Sequence, residues 1–242
     1  MSLHEARTRI ADASRITVLT GAGISADSGV PTFRGPDGLW RNFRPEDLAT
    51  PEAFERDPAL VWEWYNWRRE RIAAVRPNEA HLAIARLQDR LPDAGLITQN
   101  VDGLHRAAGS SRLSEIHGNI WHTRCTGCGA IAEDRRIPLP RLPSCESCRS
   151  LLRPHIVWFG ESLNREDLSS CDRAMRTCEV LLIVGTSGVV YPAAGFAALA
   201  KAHGAYVIEL NLDETPQSSF VNCSLLGRAK DLVPAVLEGS FR

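Results

Sequence analysis

The chain has 242 residues, 44% hydrophobic and 24% charged, enough for one large domain or a core with a smaller insert. Lys+Arg 28 against Asp+Glu 29 leaves a net charge of −1, which excludes a global basic field for nucleic acid or an anionic membrane. No stretch approaches the roughly 18–20 apolar residues of a membrane span, and Met1 to Ile10 lacks an apolar leader core, so a cytoplasmic protein without membrane contact is expected. The odd total of seven cysteines suits a reducing compartment better than a disulfide scaffold.

In chain order, the β-branched run Ile16 to Leu19 breaks at Thr20 into Gly21-Ala22-Gly23 and then into small residues able to open a helix. A strand, tight turn and helix N-terminus of this kind can cradle a phosphate, because glycine lets the backbone approach an anion and unpaired N–H groups face it. The acidic residue that a hydride-transfer dinucleotide fold carries about 20 residues later is missing, and Pro36, Gly38, Pro45, Pro51 and Pro58 give that region loop chemistry. Residues 59–76 read as an aromatic-rich helix holding Trp62, Trp64, Tyr65 and Trp67 beside Arg68 and Arg69, and residues 80–91 as a second helix. Leu96 to Thr98 is a short strand running into Gln99-Asn100-Val101-Asp102. Later come a helix from Glu166 to Cys178 and a strand Val180 to Val184 ending in Gly185-Thr186-Ser187. A small-residue helix from Pro192 to His203, a strand Ala205 to Leu210 ending at Asn211, and a helix from Ala229 to Leu237 complete the chain.

Alternating strands and helices predict a Rossmann-like α/β fold, mainly parallel, with helices on both faces. Four strands end in polar or glycine-rich loops, where ligands bind in open α/β sheets. Between them, Cys125-x-x-Cys128 and Cys145-x-x-Cys148 have the spacing of a zinc ribbon. Four thiolates leave no open coordination position, so one structural zinc is expected. Arginines near the ribbon are interrupted by Glu133, Asp134 and Glu146 and lack interleaved aromatics, so nucleic-acid binding is not expected. Cys171, Cys178 and Cys223 read as small core residues.

Gly21-Ala-Gly-Ile-Ser25, Thr98 to His105, His117-Gly118-Asn119, the cysteine pairs, Phe159-Gly160-Glu161 and Gly185-Thr186-Ser187 stand in one order that resembles the sirtuins, NAD-dependent protein-lysine deacylases. The resemblance spans about residues 10 to 240 and implies that the acyl oxygen attacks the NAD ribose C1′ as nicotinamide leaves, with acyl-ADP-ribose and free lysine as products. It implies His117 as the base that activates the ribose 2′-hydroxyl, a role imidazole suits near pH 7. Asn100 and Gln99 match positions by the nicotinamide ribose, and Asp102 with Val101 a nicotinamide contact. Gly21, Ala22, Gly23, Ser25, Arg34, Gly185, Thr186 and Ser187 match the pyrophosphate site, and Asn211, Leu212, Asp213 and Ala229 the adenosine end. Phe33 matches a ring shielding the reactive ribose.

Val157, Phe159, Gly160, Glu161 and Val189 match segments between which an acyl-lysine peptide adds as a strand. Tyr65 and Arg68, neighbours on one helix face, resemble the class III pair that binds the carboxylate of succinyl- or malonyl-lysine, and Ala49 a small residue leaving room for the longer chain. The alternative for that helix is a solvated basic face. The implied division is 1–40, 77–119 and 157–242 for the NAD-binding domain, 41–76 for a helical part of the small domain and 120–156 for the zinc module, in a monomeric protein. Desuccinylation and demalonylation beside deacetylation is expected; a plain deacetylase or a protein mono-ADP-ribosyltransferase are the competing readings.

Overall fold

The computed structural model describes residues 2–33 and 44–238. Its main sheet has six parallel strands in the order β3-β2-β1-β7-β8-β9: β1 Ile16–Thr20, β2 Gly95–Thr98, β3 Leu113–Glu115, β7 Val180–Val184, β8 Tyr206–Asn211 and β9 Cys223–Leu226. The central strands are buried on both faces, which is why β7 is a continuous apolar run and β1 breaks one only with the buried Thr17 and Thr20.

Alternate residues of β7 serve two cores. Val180, Leu182 and Val184 pack with α1 Leu3–Asp12, α6 Glu79–Arg90 and α10 Ala229–Leu237, while Leu181 and Ile183 pack with α8 Arg165–Thr177 and α9 Phe196–Ala202. Helices therefore cover both faces, as the alternation of elements predicts. Cys171, Cys178 and Cys223 belong to these cores, and burial pushes the Cys171 thiol up to about 11, so it is inert as a nucleophile.

A third core joins two segments distant in sequence. The helices α3 Pro45–Leu48, α4 Pro51–Arg56 and α5 Pro58–Ala73 pack against an antiparallel sheet of β5 Ile131–Glu133, β4 Gly118–Cys125 and β6 Leu152–Ile156. Trp62 donates to the Leu152 carbonyl at 2.8 Å, and Asn66 exchanges two hydrogen bonds with the Leu139 backbone at 3.0 Å. The buried Arg69 donates to the Ile120 and Arg136 carbonyls at 2.5 and 3.1 Å and to that of Asp134, tying α5 to the cysteine segment.

Two further α-helices are short: α2 Gly23–Ala26 follows β1, and α7 Leu104–Ala107 follows β2. Among the described residues no helix is long and apolar enough to cross a membrane.

Candidate active site

The strand ends at Thr20, Thr98, Val184 and Asn211 open on one cleft of about 1070 Å³ between the main sheet and the third core. Of the residues singled out from the sequence, it is lined by Gly21, Ala22, Gly23 and Phe33; by Gln99, Asn100, Val101 and His117; by Gly185, Thr186 and Ser187; and by Asn211, Leu212, Asp213 and Ala229. Ala49, Tyr65, Arg68, Val157, Phe159, Gly160 and Glu161 line its other side. Arg34 lies outside the described residues. Val189 is half exposed beside the cleft-lining Val190, and Ser25 and Asp102 are buried one layer behind the wall.

The glycine loop differs from its sequence reading in one respect. A Cβ on Gly23 would stand 2.7 Å from the Gly185 Cα, and one on Gly21 2.8 Å from the Gly185 carbonyl. These glycines are required because two strand-end loops pack backbone to backbone. The N–H groups expected to be unpaired are largely engaged: Gly21 donates to Val184, Gly23 to Gly185 and Ile24 to Gly21, all through backbone carbonyls.

His117 follows β3, where its Nδ1 meets the Gln99 carbonyl at 3.0 Å. A carbonyl only accepts, so Nδ1 carries the proton and Nε2 is left as an unprotonated acceptor. Burial lowers the His117 pKa, against a smaller upward pull from that hydrogen bond, so the ring is neutral near pH 7. It meets the requirements of a general base.

On the far wall, the Tyr65 hydroxyl accepts from Trp158 Nε1 at 2.9 Å, and Arg68 lies next to it. Arg68 is 7% exposed, and its guanidinium stands 4.8, 5.0 and 5.5 Å from the ring centres of Trp64, Phe33 and Tyr65. Among the described residues it forms no ion pair. Burial lowers its pKa, with Tyr65 and Asp102 pulling the other way. The solvated-face alternative is thereby excluded for Arg68.

Val157 donates to the His117 carbonyl at 2.9 Å and Phe159 to the Ala49 carbonyl at 3.0 Å, which fixes the segment beyond β6 along the cleft. Glu161 accepts both Arg153 nitrogens, at 2.7 and 2.9 Å, and the Trp158 N–H at 2.9 Å. Its carboxylate shapes the turn.

The Sγ atoms of Cys125, Cys128, Cys145 and Cys148 all lie within 4.8 Å of one another, with Cys125 and Cys148 at 3.3 Å and Cys128 and Cys145 at 3.8 Å. These separations are far beyond a disulfide bond and match the edges of a tetrahedron of about 2.3 Å Zn–S bonds. Gly127 and Cys128 N–H groups point at Cys125 Sγ at 3.3 and 3.4 Å, as a thiolate ligand requires. The donor set fits one structural zinc.

The Sir2 family model matches residues 21–192. This chain belongs to the Sir2 family. Its relatives include an NAD-dependent protein deacylase of Aquifex aeolicus, 56% identical over 202 residues, covering 83% of this chain and 84% of that one. The mitochondrial NAD-dependent protein deacylase sirtuin-5 of Danio rerio is 45% identical over 259 residues, covering 96% and 85%. A Sir2 homologue solved in complex with NAD superposes with a TM-score of 0.92 at 44% identity, covering 99% of this chain and 94% of that one.

Behind the cleft of this sirtuin lies a buried polar network that sequence reading did not assemble. Ser25 Oγ donates to Asp102 Oδ2 at 2.8 Å and accepts from Asn100 Nδ2 at 3.2 Å and from His81 Nε2 at 3.3 Å; Asn100 Nδ2 also donates to the Gly21 carbonyl at 3.0 Å. Asp102 Oδ1 takes the Leu104 N–H at 2.9 Å. Burial pushes the Asp102 carboxyl up and holds His81 down at about 4, so His81 is neutral. The only signal for His81 in the sequence is its place three residues after Asn78, where its Nδ1 accepts the Asn78 N–H at 3.3 Å and completes a capping box.

Proposed function

We propose that this Sir2-family chain is an NAD-dependent protein-lysine deacylase that removes succinyl and malonyl groups as well as acetyl groups. NAD bound across the strand ends supplies an activated ribose carbon, to which the acyl oxygen adds as nicotinamide leaves. The chain's own residues do the rest. Gly21, Ala22, Gly23, Gly185, Thr186 and Ser187 line the stretch assigned to the pyrophosphate, with Ser25 bracing the loop from behind. Asn211, Leu212, Asp213 and Ala229 line the adenosine end. Gln99, Asn100 and Val101 face the nicotinamide ribose, Asp102 orders Ser25 and the backbone after Val101, and His117 Nε2 takes the proton of the attacking ribose hydroxyl. Phe33 shields that face.

An acyl-lysine peptide inserts between the segments carrying Val157 and Val189, pairing through backbone groups that tolerate varied sequences. The corresponding division is an NAD-binding body of 1–40, 77–119 and 157–242, completed by the helical 41–76 and the zinc-holding 120–156. Free rather than disulfide-linked cysteines support a cytoplasmic setting.

One observation carries the acyl class. Arg68 is a buried cation in an aromatic cage, beside the Tyr65 hydroxyl and, among the described residues, in no ion pair. Removing an unpaired charge from water is costly, and an incoming acyl carboxylate offsets that cost with a planar two-point fit. A neutral acetyl group does not, and transfer of ADP-ribose to protein would need no such anion receptor.

The test is kcat/KM with NAD on matched succinyl- and acetyl-lysine peptides, for wild type and Arg68→Met. Loss of a charge-assisted contact, about 1.5–3 kcal/mol, lowers desuccinylation roughly ten- to a hundredfold while deacetylation persists. Equal loss of both, or of neither, leaves the chain a plain deacetylase.

A further inference from the structure

Glu209 lies inside β8, where its neighbours Val207, Ile208 and Leu210 are fully buried, and it is itself 0% exposed. An interior carboxylate loses its hydration and needs compensating donors or a cation. Among the described residues it has no ion pair. Three hydroxyls serve instead. Thr215 Oγ1 donates to Glu209 Oε1 at 2.5 Å, and Ser218 and Ser224 Oγ donate to Oε2 at 2.5 and 3.0 Å.

Two of these hydroxyls also hold backbone. Ser218 Oγ accepts the Thr215 N–H at 2.8 Å, and Thr215 Oγ1 accepts the Gln217 N–H at 3.1 Å. A hydroxyl that gives its single proton to a carboxylate is left as a polarised acceptor, so one buried charge fixes the direction of both bonds. The third, Ser224, sits opposite Glu209 in the β8–β9 pairing, so the same carboxylate joins the edge strand to the loop. Gln217 adds a further tie by donating to the Ala194 carbonyl at 2.9 Å.

The fastened segment has a second side. Leu212 to Pro216 line the cleft next to Asn211, on the wall assigned above to adenosine. Leu212, Asp213 and Glu214 project as exposed residues and their loop is held from beneath through Thr215 and Ser218.

We infer that Glu209 is a positioning residue for the adenosine half of NAD: it never meets the ligand, and it holds the β8–β9 loop in the shape that receives it. The inference rests on the functional reading above and extends it to a residue behind the site. Its reach is local. Loosening the loop weakens binding of everything that contains adenosine and leaves the nicotinamide and acyl ends, walled by other strand ends, as they were.

The experiment compares wild type, Glu209→Gln and Ser218→Ala. Glu209→Gln keeps the size of the side chain and turns an amide NH2 toward hydroxyls that need an acceptor. Dissociation constants are measured for ADP-ribose and AMP, with KM for NAD, kcat at saturating NAD and inhibition by nicotinamide. The expected result for Glu209→Gln is a rise of about tenfold in both dissociation constants and in KM, with kcat and nicotinamide inhibition within about twofold. Ser218→Ala, which removes one tie, shifts the same constants the same way by a few-fold, and it decides the matter if Glu209→Gln does not fold. Folded variants that bind ADP-ribose and AMP like wild type overturn the inference, as does a fall in kcat as large as the rise in KM. Wild-type protein that fails to bind ADP-ribose overturns the functional reading itself.

Discussion

Gly185 and Gly204 both have left-handed backbone, at φ +61° and +91°, but in opposite surroundings. A Cβ on Gly204, just past α9, meets nothing within 4 Å, whereas one on Gly185 would stand 2.6 Å from the Ile24 nitrogen and 2.7 Å from the Gly23 Cα. Gly204→Ala therefore carries only the conformational cost, about 1–2 kcal/mol. Gly185→Ala carries the same cost plus that of forcing two backbones apart, about 1–3 kcal/mol more by analogy with overpacked cores. For a chain of this size each kcal/mol lowers Tm by roughly 2–4 °C. Thermal melts with ADP-ribose titrations separate the two terms. Gly204→Ala should melt earlier and bind ADP-ribose as wild type does; Gly185→Ala should melt earlier still and bind at least about tenfold more weakly, because the separated loops are the two walls of the cleft proposed to hold the pyrophosphate. Equal melting losses, or wild-type affinity in Gly185→Ala, would refute the claim that loop-to-loop packing sets the site.

Burial lowers the His117 pKa below the ordinary 6.5, so His117, as the proposed base, loses activity only as pH falls through that lower value. The acid limb of kcat/KM should have its midpoint below 6.5 and be lost in His117→Ala, while a midpoint above 6.5 would contradict the buried, neutral imidazole. Stripping zinc with a strong chelator removes a binding free energy of order 10 kcal/mol from a segment that shares its core with α5. Hydrogen exchange should then show lost protection across residues 118–156 while β1 and β7 stay protected; unchanged protection there would refute a structural role for the four thiolates.

The central sheet was legible because β1, β7 and β8 are buried on both faces and had to be mostly apolar or β-branched. The edge strands were not. Leu113–Glu115 is three residues long, and Cys223–Leu226 mixes cysteine, serine and leucine, so neither carries a period to read. The cleft was legible because its residues cluster at strand ends; all those named for NAD line it except Ser25 and Asp102 behind it and the undescribed Arg34. Chain order hides what lies behind. Glu209 reads as an interruption of β8 until Thr215, Ser218 and Ser224 fold over it, and Arg69 reads as one more charge on α5 until the carbonyls of Ile120, Asp134 and Arg136 close on it.

The core that unites α5 with β4 and β6 also constrains how the protein is made. Tyr65 and its partner Trp158 are 93 residues apart, and at about 5–20 residues per second a ribosome needs on the order of 5–20 s to connect them. Until Leu152, Ile156 and Trp158 emerge, Trp62 and Tyr65 lack the contacts those residues supply, leaving an adhesive aromatic surface on the nascent chain. Zinc capture by Cys125 and Cys128 must wait as well, because Cys145 and Cys148 emerge later. Nascent chains stalled before residue 158 should therefore be the species that aggregate or recruit chaperones, and those released beyond it should not.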